Sequence, residues 1–225
     1  MLFFREATVL LLVAVAATLA YKEGPPVDTN PQICESMEPS HDADPKDEAG
    51  PFEVLADNCF NENTTLNVHV KIKKEGDTYF EGFFLQARSA LADGSLDNKA
   101  SHGVFSTSDS ELKALKCFGE STGTNSDGRM NTIGHSEAHH YANKVVQWRG
   151  SELTTGTIYF VATMVRHTEE IWLGVQSQAV TYSASCSPEQ PDEPYFTSGS
   201  TRTSTSLATA LVAALTAVYI QASQN

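Results

Sequence analysis

From Leu66 to Ile72 the chain alternates without a break: Leu66, Val68, Val70 and Ile72 are apolar, and Asn67, His69 and Lys71 between them are polar. Side chains on an extended backbone point to opposite faces in turn, so this pattern describes a strand with one face in water and the other against apolar neighbours. Such a strand cannot stand alone, and the rest of the chain supplies its partners. Residues 79–90, YFEGFFLQARSA, are mixed in pattern and rich in aromatics, as expected of a strand covered on more than one side. Shorter strands are expected around Val104 and Phe105 and over residues 115–118, and strand resumes over residues 144–148 after a Gly- and Ser-punctuated loop at residues 121–128. The strongest pair comes last: Thr157–Arg166, with Ile158, Phe160, Ala162 and Met164 on one face, then residues 171–182, joined by a polar turn at residues 167–170. No segment between the two ends carries a helical period. Seven or eight short strands separated by turns predict an all-β sandwich of two antiparallel sheets, with Trp148 and Trp172 in its core.

Two hydrophobic segments, residues 8–20 and 207–220, bracket this pattern. The first follows Arg5, is apolar all round and ends in Ala20 before Tyr21, the layout of a secretion signal rather than of a spanning helix. The second is also short of the ~20 residues that cross a bilayer and has no Lys or Arg after it. Small residues Ser198, Gly199 and Ser200, a polar Thr/Ser spacer and the apolar run stand in the order of a glycolipid-attachment signal, with Ser198 as the attachment residue. A single membrane pass and an unanchored tail are the alternatives. In an exported chain Cys34, Cys59, Cys117 and Cys186 are expected to form two disulfides, and the sequence leaves three pairings open. Asn63-Thr64-Thr65 is the one N-x-S/T acceptor and falls in a polar turn, where a glycan on Asn63 would face solvent. The formal charge of −13 is set against nucleic acid, heparin-like polymers and anionic membranes as partners.

Residues 24–50 are rich in Pro, Asp and Glu, lack a period, and read as an extended arm first fixed at Cys34. The nearest approach to an active site is His135-Ser136-Glu137-Ala138-His139-His140. On a helix, His135 and His139 would share a face, and Glu137 or His140 could complete a metal set. In loop or strand that spacing loses its meaning, so His135, His139 and His140 remain weak metal candidates and no cofactor is expected. No serine sits in a G-x-S-x-G turn, the carboxylates cluster in the arm rather than as a buried pair, and no phosphate loop, calcium loop or basic aromatic stripe occurs.

The order of landmarks is specific: Cys34-x-x-Met37-x-Pro39-x-His41, then the string from Phe80 to Arg88, FEGFFLQAR, then Gly103-x-Phe105, Leu115-Lys116-Cys117, Gly134-His135-Ser136, Trp148, Gly156-Thr157-Ile158-Tyr159-Phe160, and Trp172-x-Gly174-Val175-x-Ser177. Over roughly residues 24–183 the chain resembles the reeler domain, the module at the N-terminus of reelin. The same module occurs in F-spondin, in ferric-chelate reductase-like membrane proteins and in small secreted defence proteins of invertebrates. The resemblance implies an immunoglobulin-like sandwich without catalytic apparatus, a bridge between Cys34 and Cys117, and with it one between Cys59 and Cys186. It also implies that His41 and His135, at matching positions, are hydrogen-bonded structural histidines. The length leaves no room for the haem-binding or multi-span cytochrome modules of the larger relatives, so reductase activity is not carried over.

The expected layout is a signal peptide at 1–20, a reeler domain at 21–186, a polar linker at 187–206 and a hydrophobic tail at 207–225. The expected function is that of a non-enzymatic extracellular binding protein, secreted or held at the cell surface by its lipid anchor, recognising a microbial or other extracellular surface in innate defence. Adhesion or signalling at the host surface is the alternative, and an iron- or haem-associated accessory role is a third reading.

Overall fold

The computed structural model describes residues 24–187, apart from residues 40, 42, 75, 77, 119–128, 151 and 168. The expected signal peptide at residues 1–20, the loop expected at residues 121–128, the expected linker from residue 188 onward, Ser198 and the hydrophobic segment at residues 207–225 lie outside the described residues.

The alternating stretch forms β3 (Leu66–Ile72), the second strand of a four-stranded sheet with the order β1 (Phe52–Leu55), β3, β8 (Asn143–Arg149) and β5 (Val104–Ser106). The larger sheet runs β2 (Cys59–Phe60), β11 (Val180–Tyr182), β9 (Thr157–Arg166), β4 (Gly82–Ser89), β7 (Thr132–His135) and β6 (Leu112–Leu115), with β10 (Glu170–Gln176) also paired to β9. Pairing is antiparallel except between β2 and β11. The apolar faces of the two sheets meet in one core. Leu66, Val68, Val70, Phe105 and Trp148 come from the small sheet, and Phe83, Leu85, Ile133, Ile158, Phe160 and Met164 from the large one. Trp148 sits edge-on to Phe60 and Phe160 at centroid distances of 5.3 and 5.2 Å, and its indole N–H donates to the His102 carbonyl at 2.9 Å. That partner is what allows a fully buried indole.

The large sheet is covered on its other face as well. In β4 the first seven residues are all buried: Phe83, Leu85 and Ala87 point into the core between the sheets, whereas Phe84, Gln86 and Arg88 point outward. What covers them is the segment before β1. It carries a helical turn, α1 (Ile33–Ser36), and packs Val27, Ile33, Cys34 and Met37 against Phe84, Val161 and Phe118. Polar side chains complete the seal. Gln86 Nε2 donates to the Cys34 carbonyl at 3.1 Å, and Arg88 donates to Gln86 Oε1 and to the carbonyls of Cys34 and Glu35, each at 2.9 Å. Thr163 Oγ1 donates to the Met37 carbonyl at 2.5 Å. Burial pulls the Arg88 guanidinium down to about 10, with Asp97 and Glu35 opposing, so it stays charged at neutral pH.

The Cys34–Cys117 bridge locks the same contact, and a Cys59–Cys186 bridge ties β2 to the residues after β11. These bridges close separations of 83 and 127 residues. Several details depart from the sequence pattern. The arm expected to be extended contains α1 and is seated on the sheet, because its few apolar residues cluster between Val27 and Met37. Eleven strands are present among the described residues rather than seven or eight, since β1, β2 and β7 are too short to show a period. The strand expected at residues 115–118 lies earlier, at Leu112–Leu115. The chain leaves the sheet at Cys117, whose N–H and carbonyl are both held by the Asn131 amide at 2.8 and 2.9 Å. The long last strand breaks into β10 and β11, with a register shift between Trp172 and Val175 where Gly174 takes a φ of 66°.

Two measurements test the covered outer face. Converting Cys34 and Cys117 to Ala should lower stability in urea by roughly 2–5 kcal/mol. Arg88→Met in the oxidised protein should lower it by about 1–3 kcal/mol, because the carbonyls of Cys34 and Glu35 lose their buried donor. Unchanged midpoints in both would mean that the arm contributes nothing to the fold.

Candidate functional site

Strand register sorts the loops into two ends. β3 and β8 pair Leu66 with Trp148 at one end and Lys71 with Asn143 at the other. β4 and β9 pair Ser89 with Ile158 at the first end and Gly82 with Val165 at the second. The second end therefore gathers the β3–β4 connection, the β7–β8 loop and the β9–β10 turn, roughly 20 Å along β3 from the first.

At this end exposed rings and carboxylates converge. Tyr79 stacks on His140 with centroids 3.8 Å apart, and its hydroxyl bonds His167 Nε2 at 2.9 Å. Glu81 stands between the two imidazoles, 3.4 Å from His140 Nε2 and 3.6 Å from His167 Nδ1. Beside them His139 pairs with Glu137 at 3.1 Å and lies 3.9 Å from Glu111. Lys144 bonds Asp109 at 2.7 Å, bonds Glu111, and sits 4.4 Å over the Tyr141 ring. Burial works against its charge, but the bonds to Asp109 and Glu111 win and its pKa ends raised. The result is a half-rigid surface of aromatic faces rimmed by acids, able to stack against a ring and to exchange hydrogen bonds with hydroxyl-rich ligands.

The three candidate metal ligands do not meet. His135 ends β7 and is turned inward beneath Gly82, where its Nδ1 accepts the Phe83 N–H at 3.1 Å. His139 and His140 are exposed and engage different partners. Among the described residues no group of three or more His, Cys, Asp or Glu side chains is arranged to hold a metal ion. Of the other residues grouped at this end, Tyr79 and His167 fall in no motif, and Glu81 lies in the Phe80 to Arg88 string without being marked there as a surface group. Only the antiparallel pairing of β4 with β9 and the Phe80–Tyr141 bridge bring them beside His140.

His135 and His102 are chemically distinct from the exposed histidines. Burial is the main cause holding the His135 pKa below its ordinary value; the Phe83 backbone contact opposes it, and the nearby Lys113 and His41 charges add to it. Burial likewise lowers His102, against the pull of Glu152 and Asp97. The folded protein thus favours the neutral form of both rings more than the unfolded chain does, and the unfolded chain takes up protons below about pH 6.5. Their contribution is complete above that pH and is lost as pH falls through the depressed native values. The melting temperature should therefore be lower near pH 5 than near pH 7.5, and His135→Asn, which keeps an acceptor without titrating, should shrink that difference. A profile unchanged by the substitution would show that His135 is not responsible.

A protein of Antheraea mylitta named "Putative defense protein 3" is 28% identical over 174 residues, covering 77% of this chain and 93% of its own. A Danio rerio protein named "Putative ferric-chelate reductase 1" is 29% identical over 153 residues, covering 67% of this chain, but the match spans only 24% of that relative's length. Among solved structures, a human F-spondin reeler domain aligns with a TM-score of 0.48 and 15% identity over 67% of this chain and 99% of its own. No helix among the described residues is long and apolar enough to cross a membrane. The Reeler domain family matches residues 32–188, from before α1 to just beyond the second disulfide, and the chain belongs to that family.

Proposed function

We propose that the protein is a non-enzymatic extracellular binding module, acting in innate defence by recognising microbial surfaces through the loop end that carries Tyr79, Glu81, His139, His140 and His167. The observation that supports this most is the match with the Antheraea mylitta defence protein, which covers 93% of that relative. What that relative does, it does with a chain of nearly this extent. Two disulfides fit an oxidising, extracellular setting. The net charge of −13 disfavours direct attack on anionic membranes and favours recognition instead. The stacked Tyr79–His140 pair is already ordered, so less side-chain freedom is lost when a ligand lands on it. Lipid attachment at Ser198 belongs to the same proposal and would hold the module at the cell surface.

The reductase relative favours one second reading, an accessory role toward iron or haem, although the shared segment is about a quarter of that protein. The two readings separate experimentally. Secreted protein incubated with bacterial and fungal cells should co-sediment with one of them, and the combined variant Tyr79→Ala, His140→Ala and His167→Ala should bind at least ~10-fold less while melting like the parent. No binding to any cell, together with a new visible absorption band on titration with ferric haem, would transfer the assignment to the second reading.

A further inference from the structure

The end of the sandwich away from the histidines carries the acceptor triplet Asn63-Thr64-Thr65. We infer that Asn63 bears an N-linked glycan and that this glycan covers the free edge of β2 together with the Cys59–Cys186 bridge. The inference rests on the extracellular reading above, because the oligosaccharide is attached only along the secretory route.

The turn before β3 is built without the Asn63 side chain. The Thr64 N–H donates to the Asn61 carbonyl at 3.2 Å, and the Asn61 N–H donates to Thr64 Oγ1 at 2.9 Å. Asn61 Oδ1 accepts the Asn63 main-chain N–H at 2.9 Å. Every one of these bonds is made by backbone or by the side chains of Asn61 and Thr64. None uses the Asn63 amide, which is exposed. The buried Asn61 amide also reaches back, donating to the Cys186 carbonyl at 3.1 Å, and the Tyr182 hydroxyl donates to Glu62 at 2.9 Å. The turn is thereby pinned beside the second disulfide through Asn61, two residues from Asn63.

The chemistry requires only what the triplet supplies. Asn63 Nδ2 forms the new C–N bond to the anomeric carbon of a lipid-pyrophosphate-linked oligosaccharide, the lipid pyrophosphate departs, and the amide loses one proton. The middle residue is Thr, not Pro, so the segment can adopt the geometry the transferring enzyme reads before the chain folds. After folding, the exposed site holds the sugar without displacing a packed group. The location has a use. β2 is an outermost strand of the large sheet, paired with β11 on one side only, and an open strand edge is the kind of surface that recruits foreign strands. Both cysteines of the neighbouring bridge are only half-buried.

The full chain should be expressed in a secreting animal cell and collected from the medium. Peptide-N-glycosidase is expected to remove the mass of one glycan and to leave Asp at position 63 in the peptide map. Thr65→Ala should abolish the shift and Thr65→Ser should retain it. Under mild dithiothreitol, labelling of Cys59 and Cys186 should be several-fold faster in Thr65→Ala, and in folded parent protein stripped of its glycan, than in the glycosylated parent. Protein in the medium without a shift overturns the glycan and leaves the extracellular reading standing, whereas a chain retained in the cytosol overturns both. A glycan without any difference in labelling rate overturns the shielding.

Discussion

Arg88 leaves the outer face of β4 and gives its donors to the carbonyls of Cys34 and Glu35, while Gln86 reaches the same Cys34 carbonyl from two residues earlier. A helical turn ends with carbonyls that have no partner of their own, and burying them bare would cost more than the contact returns. The two polar side chains resolve that difficulty. They let a four-residue turn sit on a sheet in place of a long helix, and they let β4 be buried on both faces although its register carries an arginine. Asn131 does the corresponding work at the other half of the bridge, holding both main-chain groups of Cys117. The disulfide therefore fastens two segments whose hydrogen bonds are already complete.

With one face of the large sheet closed by the small sheet and the other by the arm, solvent meets the outer face of the small sheet and the strand ends and connections. The two ends differ in chemistry. One collects imidazoles, a tyrosine and carboxylates from three separate connections; the other collects the acceptor asparagine, a disulfide and the departing chain. The imidazole end owes its character to residues brought together from separate connections, whereas the other carries the contiguous Asn63-Thr64-Thr65 triplet; connections of the first kind can change while a scaffold stays the same.

The sandwich was legible because β3 alternates cleanly, β9 presents a long apolar run, and the aromatic string of β4 announced burial on both sides. β2 and β7 were not legible, since two to four residues cannot display a period and their places depend on pairing with distant strands. The arm was misread for a different reason. Its composition is that of a solvated segment, and only Val27, Ile33, Cys34 and Met37, irregularly spaced, carry its packing. At the site, His140 was visible as one of a histidine pair, but the grouping with Tyr79, Glu81 and His167 arises from strand register across gaps of about 60 and 90 residues, which local pattern cannot reveal. His135 ends strand β7, not a helix, and its inward turn follows from Gly82, whose missing Cβ leaves room for the ring.

The Cys59–Cys186 bridge also determines how the domain bears load. A pull on the chain beyond residue 186 would otherwise act on β11, three residues long, and peel it from β9 and β2 one hydrogen bond at a time. With the bridge in place the force bypasses that strand and enters at Cys59, through a covalent link, into the segment leading to β3 near the middle of the small sheet. A module connected in this way resists unzipping from its exit, and tension is carried by the scaffold as a whole.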